Sequence, residues 1–173
     1  MKLILIGFMG NGKTTIGNIL SKKLNMDIVD MDLEIEKNLN ISINDIFNLY
    51  GEKYFRNKEV ELLEKLLKKD NIIISTGGGI IETKEVINML KEEKFVIWLN
   101  ADIKTTVNRL KSELDNRPKL KYEKNLENTI KNLINNRYYK YKEASNIIID
   151  VNNKNIDEVV SEILVYIDKN MLL

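Results

Sequence analysis

Residues 7–14 (GFMGNGKT) have the composition and spacing of a phosphate-binding loop. They follow an apolar run at residues 3–6 and precede a helical pattern that extends to about Leu24, which is the strand–loop–helix context that such a loop requires. Glycines permit positive φ angles, so backbone N–H groups can converge on phosphate oxygens at the start of the helix. A glycine-rich turn is the plain alternative, but the full spacing favours phosphate binding. Lys13 is predicted to reach the β- and γ-phosphates of a nucleotide, and Thr14 to offer a hydroxyl to Mg²⁺.

Two carboxylates follow the second apolar run of the chain. Asp30 and Asp32 are one residue apart, where a short strand at residues 28–29 gives way to a helix. The alternation of a strand would point both side chains the same way, toward the phosphates. One could hold Mg²⁺ through water, and the other could accept a proton from an attacking hydroxyl. Helix capping by an Asp is the structural alternative, but beside a phosphate-binding loop we favour the chemical role.

Arg56 and Glu59 lie one turn apart on a predicted helix at residues 52–68, which follows a helix that begins at the cap Ser42 and stops at Gly51. A surface ion pair at this spacing would contribute only ~0.3 kcal/mol. In the functional interpretation, Arg56 binds an anionic substrate and Glu59 orients the arginine. The spacing alone leaves both interpretations open.

Three successive glycines, Gly77, Gly78 and Gly79, follow the third predicted strand and the pair Ser75-Thr76. Each glycine costs chain entropy, and a turn usually needs only one. A flexible turn is the alternative. A run of small residues at the carboxyl end of a strand favours backbone that lies directly against a ligand.

Further cations lie in the second half of the chain. The segment at about 111–125 is charged, poor in apolar residues and contains Arg117 beside Pro118. We interpret it as a mobile lid rather than an inert loop, because phosphoryl transfer must exclude water, and Arg117 would bring charge to the transferring group. Arg137 is a second candidate anion clamp. The neighbouring tyrosines are expected to pack with solvated hydroxyls, and Arg109 could simply face solvent.

The composition limits the classes of function. With 173 residues the chain fits one domain, and its formal net charge of +1 does not favour nucleic acid or a membrane surface as a partner. The chain has neither cysteine nor histidine, so a general base must be a carboxylate, a lysine or a tyrosine. The amino terminus has no signal-peptide pattern, and no apolar stretch approaches the ~20 residues of a membrane span. A cytoplasmic protein is therefore expected.

Short, continuous apolar runs at residues 3–6, 28–29, 72–74, 95–99 and 147–149 alternate with helical segments. This pattern predicts an α/β sandwich with a mainly parallel sheet, in which ligands bind beyond the carboxyl ends of the strands. Beside such a site, Arg56 and Arg137 indicate that the molecule accepting the phosphate is an anion, and Asp32 indicates that it carries a hydroxyl group. A small hydroxylated carboxylic acid satisfies both requirements. A nucleoside monophosphate would satisfy the arginines too, so the chemistry leaves this choice open.

Taken together, the motifs resemble the shikimate kinase family along almost the whole chain. The matching segments are residues 7–15, Asp30-Met31-Asp32, residues 43–56 (which end in Gly-Glu-x-x-Phe-Arg), Gly77-Gly78-Gly79, Arg117-Pro118, and the set Arg137, Tyr141 and Ala144. The resemblance implies an α/β three-layer sandwich with a five-stranded parallel sheet, a phosphate-binding loop and a mobile lid, like that of nucleoside monophosphate kinases. It also implies a monomer.

The same resemblance implies transfer of the ATP γ-phosphate to the 3-hydroxyl of shikimate, with Mg²⁺, in aromatic amino acid biosynthesis. Asp32 would lie near the reacting hydroxyl, and Thr14 would ligate Mg²⁺ while Asp30 and Ser75 assist through water. The implied shikimate-binding residues are Asp32, Arg56, Gly77, Gly78, Gly79 and Arg137. The implied ATP-binding residues are Gly10, Asn11, Gly12, Lys13, Thr14, Thr15, Arg109 and Arg117, of which Lys13 and Arg117 would also act in catalysis together with Asp32. The loop at residues 153–156 lacks the arginine and proline often found there.

Two other functions are possible. The first is a related P-loop kinase of another small hydroxy acid or nucleotide, which would lack the pairing of Arg56 with three glycines. The second is a nucleotide-dependent switch without turnover, which would predict damage at Lys13, Asp32 or Arg117. All three residues are present.

Overall fold

The computed structural model describes residues 1–112 and 125–171, in which strands and helices alternate. The strands are β1 (Lys2–Ile6), β2 (Asp27–Asp30), β3 (Ile72–Ser75), β4 (Val96–Asn100) and β5 (Ile147–Asp150). The helices are α1 (Lys13–Leu24), α2 (Met31–Leu39), α3 (Ile43–Leu67), α4 (Lys84–Lys91), α5 (Ile103–Ser112), α6 (Leu126–Ala144) and α7 (Ile156–Met171), with a 3₁₀ turn at Ile80–Glu82. Each of the five apolar runs in the sequence therefore forms a strand, as predicted.

The strands form one parallel sheet in the order β2-β3-β1-β4-β5. The inner strands β1, β3 and β4 are almost fully buried, whereas the edge strands β2 and β5 are partly exposed. Burial on both faces explains why the inner strands are continuous apolar runs rather than alternating ones. Because all five strands run the same way, their carboxyl ends share one edge of the sheet.

Two hydrophobic clusters cover the two faces of this sheet. Ile4 and Ile6 of β1 point into a cluster with residues of α2, α3, α4 and α6. Leu3 and Leu5 point the opposite way, into a cluster with residues of α1 and α7. The alternation of a strand thus divides β1 between two cores and produces the predicted three layers.

Two predicted helix boundaries, at Ser42 and Gly51, coincide with features of the structure. Ser42 caps α3, because its hydroxyl accepts the N–H of Asp45 at 3.1 Å, and Asp102 accepts the N–H of Thr105 at 2.6 Å at the start of α5. Gly51 interrupts α3 with φ 78° and ψ 171°, so two helical runs meet there at a kink. The proposed lid at about 111–125 falls almost wholly outside the described residues, and α5 continues through Ser112.

We expect Gly51→Ala to lower the free energy of unfolding by about 1–3 kcal/mol, since its φ and ψ angles suit only glycine. No clash would contribute, because no heavy atom lies within 4 Å of the added Cβ. Chemical denaturation measures the change. Asn57→Ala, at an exposed position of the same helix, is the control and should change stability by no more than about 0.5 kcal/mol. Equal effects of the two substitutions would contradict the explanation.

Candidate active site

The phosphate-binding loop connects β1 to α1. Gly7, Gly10 and Gly12 have φ angles of 146°, 77° and 83°, as the sequence predicted. Gly12 is the residue before the first turn of α1, and no side chain caps that turn. The first N–H groups of the helix therefore remain available to an anion, which the helix dipole also favours.

Strand β4 and Lys13 fix the shape of this loop. The side-chain amide of Asn11 is buried and donates to the carbonyl of Leu99 at 2.8 Å. A Cβ on Gly7 would lie only 2.5 Å from that same carbonyl oxygen, so only glycine lets the loop pass so close to β4. The ammonium group of Lys13 donates to the carbonyls of Gly7 and Phe8 at 2.8 and 3.0 Å, across the concave side of the loop.

Three oxygen-bearing side chains meet beside the loop. The hydroxyl of Thr14 donates to Oδ2 of Asp30 at 2.5 Å, and the hydroxyl of Ser75 donates to the same oxygen at 3.3 Å. Oδ1 of Asp30 accepts the N–H groups of Asp32 and Leu33 at 3.1 and 3.3 Å. One oxygen of Asp30 thus caps α2, as in the structural alternative, while the other bonds to Thr14 and Ser75 beside the loop. The role of Asp30 toward Mg²⁺ stays a prediction.

The donor set of Thr14, Asp30 and Ser75 fits Mg²⁺. All its ligating atoms are oxygens, which this hard cation prefers. Among residues 1–112 and 125–171, no cluster of three or more His, Cys, Asp or Glu side chains could enclose a metal alone. That arrangement suits Mg²⁺, which usually keeps several waters and binds phosphate oxygens in addition to one or two protein groups.

Asp32 lies in the first turn of α2 rather than on β2, so the strand-alternation argument for its direction was wrong. It nevertheless shares a cleft of about 300 Å³ with Asp30, Lys13, Thr14 and Gly78. Burial, followed by the negative charge of Asp30, raises the pKa of Asp32 above its ordinary value, whereas Lys13 acts in the opposite direction. A carboxylate with a raised pKa accepts a proton more readily near neutral pH.

Arg56 pairs with the buried acid Glu59, so the interpretation as a surface ion pair was wrong. Its Nη1 donates to Oε2 of Glu59, which is 1% exposed. Its Nε and Nη2 donate to Oε1 of Glu52 at 3.2 and 3.1 Å. Three of the five guanidinium N–H groups are therefore committed to these acids, which leaves two for a ligand.

The second oxygen of Glu59 is buried and has no hydrogen-bond partner within the described part of the chain. Burial raises the pKa of Glu59 to about 7, although the Arg56 guanidinium opposes this shift. From the sequence, Glu59 was expected to be either the partner of Arg56 in a surface ion pair or an orienting residue. The burial of Glu59 could not be predicted from its spacing of three residues from Arg56.

Each residue of the glycine triplet leaves room for a different neighbour. A Cβ on Gly77 would lie 2.6 Å from Oδ1 of Asp32, and one on Gly78 would lie 2.9 Å from the backbone nitrogen of Met9. A Cβ on Gly79 would lie 2.5 Å from Nη2 of Arg56. None of the three has a positive φ angle, so close approach rather than turn geometry requires them. The predicted close approach therefore involves the site's own groups.

Helix α6 supplies Arg137 and Tyr141, which share the carbonyl of Gly78. Nη1 of Arg137 donates to that oxygen at 3.3 Å, and the hydroxyl of Tyr141 donates to it as well. Tyr141 is 2% exposed, so the expectation of a solvated hydroxyl was wrong for this tyrosine, while Tyr139 is 77% exposed. The four-residue spacing between Arg137 and Tyr141 places them on one helix face, and this signal could have revealed the pair.

Arg109 lies at a second cleft, of about 250 Å³, lined also by Gly10, Thr15 and Ile156. Its Nη2 donates to the carbonyl of Val151 at 3.0 Å, so the alternative of a purely solvent-facing side chain was wrong. This mainly apolar slot adjoins the far side of the phosphate-binding loop. Arg117 lies outside the described residues.

One sheet edge combines a phosphate-binding loop, an oxygen-ligand set for Mg²⁺, a buried acid and two arginines, the half-buried Arg56 and the buried Arg137. These groups define a P-loop kinase of a small anionic acceptor. The sequence profile of the shikimate kinase family matches residues 9–168. The chain belongs to that family.

Individual relatives agree with this membership. A shikimate kinase from Macrococcus caseolyticus is 42% identical over 163 residues, which cover 94% of each chain. The structure of a shikimate kinase from Acinetobacter baumannii in complex with shikimate has a TM-score of 0.91 and 31% identity, over 99% of this chain and 95% of that one. A deoxyadenosine kinase from M. mycoides shares the fold alone, with a TM-score of 0.64 and 18% identity over 97% of this chain and 100% of that one.

These findings confirm the predicted resemblance, the five-stranded parallel fold and the enzyme class, a shikimate kinase that uses ATP and Mg²⁺.

We expect Glu59→Gln to flatten the pH dependence of stability between about pH 4.5 and 7. A raised pKa means that the folded state binds the proton more tightly than the unfolded chain. The stabilising contribution of neutral Glu59 is therefore complete below the unfolded pKa and is lost as the pH rises toward 7. The glutamine variant imitates the neutral form and lacks this titration.

Denaturant unfolding at several pH values measures this effect. Glu64→Gln, at an exposed position of the same helix, is the control and should keep the slope of the unmodified protein. If Glu59→Gln also keeps that slope, Glu59 does not titrate in this range.

Proposed function

We propose that the chain transfers the γ-phosphate of ATP to the 3-hydroxyl of shikimate at the carboxyl ends of β1, β2 and β3. One observation carries this proposal. The phosphate-binding loop, the half-buried Arg56 and the buried Arg137 border the same backbone, Gly77 to Gly79. A phosphoryl donor and an anionic acceptor bound to these groups would meet across that backbone, beside Asp32.

The donor half would consist of the loop and its neighbours. The N–H groups of residues 10–15 would bind the ATP phosphates, with Lys13 moving from the loop carbonyls to the β- and γ-phosphates. The slot beside Arg109 would take the adenine base, and Arg117 would add positive charge. Thr14 would ligate Mg²⁺, with Asp30 and Ser75 acting through water. When bound, that ion supplies charge neutralisation for the phosphate oxygens.

The acceptor half would bind shikimate at its carboxylate and at its hydroxyl groups. Arg56 and Arg137 are suited to the carboxylate, because planar guanidinium groups bind such anions with two parallel hydrogen bonds. The backbone of Gly78 would lie against the ring of the substrate. Asp32 would accept a hydrogen bond from the 3-hydroxyl, hold its oxygen toward the γ-phosphate and take the proton as the new O–P bond forms.

We also infer the wider setting of this reaction. Residues 1–173 would act as a single catalytic domain with a lid at about 111–125, and the chain would work as a cytoplasmic monomer without nucleic acid or membrane partners. Two facts support this setting. The formal net charge is +1, and within residues 1–112 and 125–171 no helix is long and apolar enough to cross a bilayer.

The direct test is Mg²⁺-dependent formation of ADP from ATP, with shikimate, quinate, gluconate and nucleoside monophosphates as separate acceptors. We expect shikimate to give the highest kcat/KM, as membership of the shikimate kinase family predicts. A preference for a nucleoside monophosphate or gluconate would favour the alternative of a related P-loop kinase and would overturn the proposal.

Asp32→Asn should lower kcat by about 10²–10⁴-fold, because an amide keeps the shape of the carboxylate but cannot take the proton. ATP affinity, measured by calorimetry with ADP or a non-hydrolysable analogue, should change little. Asp45→Asn, an exposed acid at the start of α3, serves as the control and should leave kcat unchanged. A kcat for Asp32→Asn close to that of the unmodified protein would remove the proposed role of Asp32.

A further inference from the structure

Glu82 is the last residue of the 3₁₀ turn Ile80–Glu82, and it bonds to the Nε side of the Arg137 guanidinium group. Oε1 of Glu82 accepts from Nε of Arg137 at 2.6 Å, and Oε2 accepts from the ammonium group of Lys140. Partial burial opposes ionisation of Glu82, but the bonds from Lys140 and Arg137 lower its pKa below the ordinary value. Glu82 is therefore a carboxylate at neutral pH, placed between two cations.

Contacts on three sides determine the orientation of the guanidinium plane. Glu82 holds the Nε edge, the carbonyl of Gly78 accepts from Nη1 at 3.3 Å, and the ring of Phe8 lies with its centre 5.6 Å from the guanidinium carbon. The side chain of Arg137 is only 10% exposed, so it has little room to turn. A planar group that is oriented in advance loses less conformational entropy when it binds an anion.

The second cation preserves the positive charge of this cluster. A carboxylate bonded to Arg137 alone would form a neutral pair with weak attraction for an anion. Lys140 bonds to the other oxygen, so Glu82, Arg137 and Lys140 together carry a formal charge of +1. Glu82 can thus orient the arginine without cancelling its attraction for a carboxylate. Lys140 is 40% exposed, so salt weakens its share of this field.

We infer that Glu82 is a positioning residue for substrate recognition, which orients Arg137 toward the carboxylate of the acceptor. This inference rests on the proposed function of Arg137 as a carboxylate-binding residue. Glu82 itself would not touch the substrate. It follows Gly79 by three residues, so the segment that forms the wall of the site also carries the group that orients one of its arginines.

Steady-state kinetics of Glu82→Ala and Glu82→Gln test this inference. Glu82→Ala should raise the KM for shikimate about ten-fold, while kcat and the KM for ATP change less than about two-fold, because uniform binding of the acceptor is lost. Glu82→Gln keeps an oxygen that can accept from Nε of Arg137, so it should restore most of the lost affinity. Equal increases in both KM values, or no rescue by glutamine, would overturn the inference.

Glu143→Ala is the matched control for a general loss of helix packing. Glu143 lies on α6 and accepts from Lys91 of α4 at 3.0 Å, so this exposed pair joins α6 to the helix that follows the 3₁₀ turn. Its removal should leave the KM for shikimate unchanged. If Glu143→Ala raises that KM as much as Glu82→Ala does, the effect comes from tethering of α6 and not from orientation of Arg137.

A double-mutant cycle separates this inference from the proposed function. Arg137→Ala should raise the KM for shikimate more than Glu82→Ala does, and the double variant should be no worse than Arg137→Ala alone, because Glu82 acts through the arginine. The effect of Glu82→Ala should also vanish with the uncharged carboxamide of shikimate. An unchanged KM in Arg137→Ala would refute the role of Arg137. A normal effect of Arg137→Ala with full additivity would refute only the role of Glu82.

Discussion

The backbone from Gly77 to Gly79 runs closer to its neighbours than any side chain would allow, and both halves of the site depend on this approach. At Gly78 an added Cβ would lie 2.9 Å from the backbone nitrogen of Met9, in the phosphate-binding loop. A backbone atom cannot turn aside as a side chain can, so this contact sets the distance between the end of β3 and the loop. On its other sides the segment contacts Asp32 and Arg56. The segment therefore presents only backbone, both to the phosphate-binding loop and to the side of the site that holds Asp32 and Arg56.

Burial is the second constraint. It disfavours the charged forms of Asp32, Glu59 and Arg56 alike, and the charged partners of each group decide the outcome. Burial is the largest cause of the raised pKa values of both Asp32 and Glu59. The arginines stay charged, because Glu52 and Glu59 bond to Arg56, and Glu82 bonds to Arg137. A cation with partly neutralising partners is held in place by them. The site thus combines fixed positive charge with a carboxylate that can accept a proton.

The sequence predicted the features that local patterns encode. Apolar runs predicted the five strands, and the glycine spacing predicted the positive φ angles of the loop. The sequence did not predict the contacts between segments that are far apart in the chain. Tyr141 bonds to Gly78, which lies 63 positions earlier in the chain, and Arg137 bonds to Glu82, which lies 55 positions earlier. The periodicity of a helix or a strand cannot predict contacts between such distant residues. In the sequence, Glu82 looks like an ordinary exposed acid near the start of a helix. Its partners Arg137 and Lys140 lie on α6, so only the folded structure shows the contact.

The two faces of the sheet support different parts of the site. Ile16 and Val159, which line the slot beside Arg109, belong to the cluster between the sheet, α1 and α7. Phe55 and Tyr141, which flank the arginines of the acceptor side, belong to the cluster on the opposite face. Because the two cores pack separately, a change in one need not alter the shape of the other. The two faces meet at the carboxyl ends of β1 and β3, where the phosphate-binding loop lies against the three glycines. Under the proposed function, the two ligands would meet across this backbone segment, which belongs to neither core.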